Sequence, residues 1–205
     1  VVDQRFGESQ APMALRLFGG AALDYQQRHG ASDEVFAMIA CKARRHAAHN
    51  PLAVFREPLT VEQVLASPRL YGPLTRLQCC PPTCGAAAAI LCTQAFARRN
   101  GVADQVRIVA QACTTDRPDS FAGDDLGATV GTGMTRRAAD AVYAEAGIGP
   151  QDIDVMELHD CFTSNELLSY ESLGLVEPGG AERFIRDGDN SYGGAVVVNP
   201  SGGLL

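Results

Sequence analysis

Short apolar runs alternate along this chain with stretches of helical periodicity, and that alternation restricts it to layered α/β folds with a mostly parallel sheet. The runs at 106–112, 153–158 and 195–198 read as strands. Met13, Leu17, Ala21 and Tyr25 recur at every fourth position, predicting a helix that starts at Pro12 and stops at Gly30. A second helix is predicted from the cap Ser32 to the Asn50-Pro51 break. It has Asp33 and Glu34 in its first turn and Lys42, Arg44, Arg45, His46 and His49 at its end. Acids first and bases last complement the helix dipole, so the basic cluster reads as a well-charged helix end. The alternative is an anion site, for instance for a ligand phosphate. Further helices are expected at 60–66, from the alanine run 86–89 to 99, at 128–146, and from Thr163 or Ser164 to about 173. Residues 51–76 and 174–193 read as irregular, and 114–127 as a polar boundary.

The 205 residues are 46% hydrophobic and 20% charged, the profile of a folded globular chain. No run of about 18 apolar residues is present to span a membrane. The net charge of −7 and pI near 5.0 argue against a nucleic-acid or anionic-membrane surface. Lys42 is the sole lysine, which with the many alanines reads as the coding bias of a GC-rich, bacterial genome. Seven cysteines at irregular spacing point to free thiols in a reducing cytoplasm.

Several motifs do not carry chemistry. Cys79, Cys80 and Cys84 lack a second ligand pair at zinc spacing and read as small buried residues leading into a helix. No metal is expected. Asp187, Asp189 and Ser191 open like a calcium loop. Tyr192 stands where its glycine belongs and Val198 where its glutamate belongs, leaving a turn. Gly131-Thr132-Gly133 lacks the rest of a dinucleotide fingerprint, and no Walker A, Gly-x-Ser-x-Gly or His-Glu-x-x-His segment occurs.

Glu157-Leu158-His159-Asp160-Cys161-Phe162 does carry chemistry. An apolar strand delivers a histidine, an acid and a thiol to a strand-to-helix turn, where α/β sheets bind ligands. His159 can donate a hydrogen bond to a carbonyl oxygen as its charge grows. Cys161, beside a helix N-terminus, is expected to have a lowered pKa and to exchange protons with a substrate carbon.

At these residues the chain resembles the thiolase superfamily, specifically the sterol-carrier-protein type of thiolase. The resemblance runs through Leu77-Gln78-Cys79-Cys80-Pro81, Gly85 to Leu91, Asp152 to Phe162, Asn165-Glu166-Leu167-Leu168, and Asp187 to Gly203 with its Asn199-Pro200-Ser201-Gly202-Gly203 turn. It implies a layered α/β/α fold of two related halves with an inserted loop domain. Residues 1–76 would then be the loop-domain remainder, 77–125 the end of the N-terminal half and 126–205 the start of the C-terminal half. The implied activity is carbon–carbon bond making or breaking at an acyl-CoA through an acyl-cysteine, in lipid or steroid side-chain metabolism. Coenzyme A is substrate, and no further cofactor is implied. The resemblance places His159 in the oxyanion hole, makes Cys161 the acid/base thiol, and has Asn199, Gly202 and Gly203 shape the site floor. Arg44 and Arg45 would lie near CoA. A homodimer or tetramer is implied, with a small OB-fold partner in some relatives.

Three departures qualify it. No cysteine here matches the family's nucleophile, and the Gly-His-Pro segment that activates it has no counterpart. The chain is accordingly expected to be an internal portion of a longer protein. Thr83-Cys84-Gly85 replaces the usual acidic Ser/Asp-Gly. Two rival readings stand beside the acyltransferase: a retro-aldolase or acyltransferase of this fold working with an OB-fold partner, and a non-catalytic thiolase-like binding module.

Overall fold

The computed structural model describes residues 2–103 and 106–205. Helix α1 (Val2–Phe6) leads into α2 (Met13–His29), which has Pro12 as its cap and Gly30 in the left-handed conformation at its end. Helix α3 (Asp33–Ala47) follows the cap Ser32, as the sequence predicts. Helix α4 (Val61–Ala66) carries a capping box in which the Thr60 hydroxyl accepts from the Gln63 amide. Strands β1 (Arg69–Tyr71) and β2 (Leu74–Thr75) then form an antiparallel hairpin within the stretch expected to be irregular.

Residues 81–117 depart most from expectation. The alanine run 86–89 is exposed and not helical; helix α5 is confined to Gln94–Arg99, where the Thr93 hydroxyl caps its first turn. No strand forms at 106–112, where Val106 is 92% exposed. An apolar run becomes a strand only where a neighbour supplies its ladder, and no strand pairing among the described residues includes this segment. Cys84 is exposed and Cys79 and Cys80 are half-buried, so these thiols are not buried packing ahead of a helix.

The helix expected from 128 is broken. Helix α6 (Leu126–Thr129) ends at Gly131, whose φ of 97° turns the chain into α7 (Thr132–Ala146). Strand β3 is only Val155–Met156, helix α8 is Thr163–Ser172, and helix α9 (Ala181–Arg186) forms inside the segment expected to be irregular. Strand β4 (Val197–Val198) pairs in parallel with β3, Val155 opposite Val197 and Met156 opposite Val198. The Asn199 amide extends the ladder to the Met156 carbonyl at 2.7 Å.

The core lies where α2 and α3 cover α8, α9 and β4. Phe36, Ile39 and Ala43 of α3 meet Leu167 and Tyr170 of α8, Phe184 of α9 and Val198 of β4. Because β3 and β4 run parallel, the turns that follow them leave the sheet at the same edge. No helix among the described residues is long and apolar enough to cross a membrane.

Candidate functional site

The two turns after β3 and β4, 157–162 and 199–205, are braced against each other by hydrogen bonds. Glu157 accepts from the Ser201 amide at 3.0 Å and from its hydroxyl at 2.8 Å. The Leu158 amide donates to Asn199 Oδ1 at 2.8 Å, and the Leu204 amide to Asp160 Oδ1 at 2.8 Å. Asn199 adopts a φ of 49°, a conformation that asparagine tolerates better than most side chains. Gly202 and Gly203 also have positive φ. A Cβ on Gly202 would come within 2.5 Å of Ala47, and one on Gly203 would strike the Asp160 carboxylate. Close approach of backbone to α3 and to Asp160 is therefore what these glycines provide.

Helix α3 supports this edge from behind, and its basic end, read from sequence as complementing the helix dipole, is largely turned inward. Lys42 and His46 are buried, and Arg44 is 9% exposed. Lys42 pairs with Glu166 of α8 and donates to the Val198 carbonyl at 3.1 Å. Glu166 also accepts from the Tyr170 hydroxyl, which itself accepts from Asn190 Nδ2 at 2.9 Å. His46 Nδ1 lies 3.0 Å from the Asn199 carbonyl and Nε2 2.9 Å from the Ser191 hydroxyl. Burial lowers the His46 pKa, so the neutral ring donates from Nδ1 and accepts at Nε2. Lys42 and His46 thus hold two consecutive carbonyls at the end of β4. Sequence reading missed this network. Its one trace was a lone lysine inside the apolar stretch Ala40-Cys41-Lys42-Ala43.

Asp160 is fully buried, and its Oδ2 has no partner among the described residues. Burial, reinforced by Glu166, raises its carboxyl to about 6. The folded pKa thus exceeds the roughly 4 of an unfolded aspartate. The group's contribution to stability is complete below pH 4 and is lost as pH rises through 6, a swing of roughly 3 kcal/mol. Asp160→Asn, which keeps the acceptor for the Leu204 amide, is expected to flatten the stability profile between pH 4 and 6. It should also leave the protein at least as stable as wild type at pH 8. Urea titrations at pH 4, 6 and 8 check this; an unchanged slope would remove Asp160 as its source.

Cys161 is buried beside the Cys79-Cys80 segment. The Cys80 amide donates to the Cys161 carbonyl at 3.0 Å, and Cys79 bridges Phe162 in antiparallel fashion. Burial pushes the Cys161 thiol up to about 12, with Cys80 and Asp160 acting in the same direction. The expected lowering by the helix N-terminus does not occur, because desolvation outweighs it. Cys161 is a protonated thiol at neutral pH, an acid and not a resting thiolate.

His159 sits on the other arm of the turn. It is exposed, its ring has no hydrogen-bond partner among the described residues, and its carbonyl accepts from Asn165 Nδ2. It lines a cavity of about 410 Å³. No hydrogen bond joins it to Cys161 among the described residues. Arg44 stacks its guanidinium 4.6 Å from the Phe55 ring centroid and walls a separate groove of about 610 Å³ that reaches Cys79 and Cys80. Arg76 lines the same groove, and no acidic side chain does. Arg45 is exposed and lies outside it.

Parallel strands ending in a His-Asp-Cys-Phe turn, braced by a Gly-rich turn, define a thiolase-like α/β fold. Residues 124–205 match the family model described as thiolase C-terminal domain-like. Residues 124–205 thus form a thiolase C-terminal-like segment, and the chain is similar along its whole length to sterol carrier protein 2. The identity to that protein of Bos taurus is 42% over 206 residues, covering 100% of this chain and 38% of the relative. Benzoylsuccinyl-CoA thiolase subunit BbsB of Thauera aromatica is 39% identical over 185 residues, covering 88% of this chain and 46% of that one. A solved structure described as Ltp2-ChsH2(DUF35) aldolase superposes with a TM-score of 0.77 at 26% identity, covering 98% of this chain and 52% of its own. The chain therefore spans less than half the length of these two curated relatives.

Proposed function

We propose that this segment carries the proton-transfer turn of a thiolase-type enzyme acting on acyl-CoA thioesters, as an acyltransferase of lipid or steroid side-chain metabolism. The carrying observation is that one turn holds a partner-free imidazole, His159, facing one cavity, and a protonated thiol, Cys161, packed against the Cys79-Cys80 segment that lines the acid-free groove walled by Arg44. In the cleavage direction the acyl group passes to the nucleophilic cysteine that the thiolase resemblance implies and that has no match in this segment, while its bond to the carbon next to the thioester breaks and leaves an enolate. His159 donates a hydrogen bond to the enolate oxygen, and Cys161 gives its proton to the carbon. The floor formed by Asn199, Gly202 and Gly203 keeps backbone close to that point. Arg44 and Arg76 supply positive charge for the phosphates of CoA. The name of BbsB, a CoA thiolase subunit, favours this substrate class. A homodimer or tetramer belongs to the proposal, as does the division at residues 76 and 125.

Calorimetric titration of the intact protein with CoA tests the groove. Arg44→Met, which keeps the apolar stem over Phe55, is expected to weaken binding roughly tenfold or more, the value of a charge-assisted contact. Arg45→Met should change it less than about twofold. Equal affinity in wild type and Arg44→Met contradicts the assignment.

The aldolase likeness favours a second reading. A retro-aldolase with a small OB-fold partner would protonate an enolate on the same turn without an acyl-cysteine. Cleavage that consumes no CoA and releases an aldehyde or ketone identifies it.

A further inference from the structure

We infer that Cys80 and Cys161 are an oxidative modification site, closing to a reversible disulfide when hydrogen peroxide enters the Arg44 groove. The bond rests on backbone geometry alone; its effect on catalysis rests on the acyl-CoA reading. Cys79 and Phe162 form an isolated antiparallel bridge, and the Cys80 amide donates to the Cys161 carbonyl at 3.0 Å. One step along that bridge, Cys80 therefore stands directly opposite Cys161, on the face away from Cys79 and Phe162. Opposed residues in a hydrogen-bonded antiparallel pair have Cα atoms about 5.5 Å apart. A disulfide spans roughly 4.4–6.8 Å, so the backbone already has the spacing the bond needs. Cys79 is the rival partner, because burial and then Cys80 and Cys161 raise its thiol. The bridge turns it to the other face, where its Sγ lies 3.4 Å from the Thr75 carbonyl. All of these cysteines are free thiols in the structure.

Access to the two thiols is unequal. Cys161 is 9% exposed, whereas Cys80 is half-buried and lines the groove. Peroxide in the groove meets Cys80 first. The Cys80 sulfur attacks one peroxide oxygen, the O–O bond breaks, and a sulfenic acid forms with release of one water. The Cys161 sulfur then attacks that sulfur. The S–S bond forms, the S–O bond breaks, and the Cys161 proton leaves with the oxygen as a second water. The two thiols lose two electrons, and the peroxide gains them. Burial raises both thiols, which slows the attack because the thiolate is the nucleophile. It also makes them poor leaving groups, so the closed bond is reduced slowly. The pair is therefore built to respond to sustained oxidant and not to brief pulses. Once oxidised, Cys161 has no proton to give, and the chemistry of the turn stops until a thiol reductant restores it.

To test the pair, the intact protein is treated with hydrogen peroxide, its remaining thiols are alkylated, and its tryptic peptides are read by mass spectrometry without reduction. Residues 77–98 form one peptide, carrying Cys79, Cys80, Cys84 and Cys92, and 138–183 another, whose only cysteine is Cys161. The two are expected to emerge joined and to separate after dithiothreitol. The joined peptide should survive in Cys79→Ser and vanish in both Cys80→Ser and Cys80→Ala. A joined peptide at wild-type yield in the Cys80 variants overturns the pairing. Recovery of Cys161 as a free thiol after prolonged peroxide, including the case of a bond between Cys79 and Cys80, overturns it as well. Exchange of the α-protons of acetyl-CoA reads the effect on chemistry. In wild type, exchange should fall in proportion to the joined fraction and return with dithiothreitol. The Cys80 variants, each compared with its own untreated rate, should lack that reversible loss. A complete disulfide with undiminished exchange would sink the acid/base role of Cys161 and leave the modification site standing.

Discussion

Lys42→Ala is expected to lower the unfolding free energy by about 3–5 kcal/mol, the usual cost of stranding one charge of a buried ion pair. Lys42 is buried together with its partner Glu166, so deletion leaves a carboxylate without a cation inside the core. Burial of the pair is not itself a large net gain, because removing two charges from water costs as much as their attraction returns. The double variant Lys42→Met/Glu166→Gln should therefore recover most of the loss. Met refills the lysine stem, and Gln keeps an acceptor for the Tyr170 hydroxyl. Urea unfolding of wild type, both single variants and the double variant measures the coupling. A Lys42→Ala variant within about 1 kcal/mol of wild type would show that water reaches Glu166. The consequence extends to the site, since Lys42 also holds the Val198 carbonyl directly before the Asn199 turn.

The same pair shows where sequence reading stops. Helices α2 and α3 are legible because their apolar residues recur at helical spacing and Gly30 and Pro51 punctuate them. The inward turn of Lys42 is not legible, because its partner stands 124 residues away. Local charge pattern accounted for the basic end of α3 by the helix dipole alone; tertiary packing uses Lys42 and His46 as buried partners instead. Helix α9 escaped notice because six residues between glycine-rich turns give too short a period to recognise. The segment 106–112 failed in the opposite direction: its apolar composition suits a strand, yet a strand depends on the ladder beside it.

The turn at 157–162 was legible from residue types alone, since histidine, aspartate and cysteine are unusual company at the end of an apolar strand. Its electrostatics were not. A thiol beside a helix N-terminus has a lowered pKa only while it stays solvated. Whether Cys161 is solvated depends on the Cys79-Cys80 segment folding across it. Likewise the thiolase resemblance implies a floor role for Gly203, and only the fold shows that the absent Cβ makes room for Asp160.

Removal of the Cys161 thiol should have the largest effect on chemistry, and exchange of the α-protons of acetyl-CoA with solvent isolates it. Exchange requires a group to take and return a proton at the carbon, and a donor to hold the enolate oxygen. It does not require a carbon–carbon bond to form. The intact protein, incubated with acetyl-CoA in deuterated buffer, should incorporate deuterium at the methyl group, read by mass spectrometry. With its pKa near 12, the thiolate form of Cys161 is scarce at neutral pH. The rate should therefore climb about tenfold per pH unit through the neutral range, without levelling near 8. His159→Ala should raise the barrier by about 3 kcal/mol through the lost oxyanion donor. Cys161→Ala should slow exchange by roughly 100-fold or more with an unchanged Tm. Exchange at the wild-type rate in folded Cys161→Ala would contradict the assignment of this turn as the proton-transfer site.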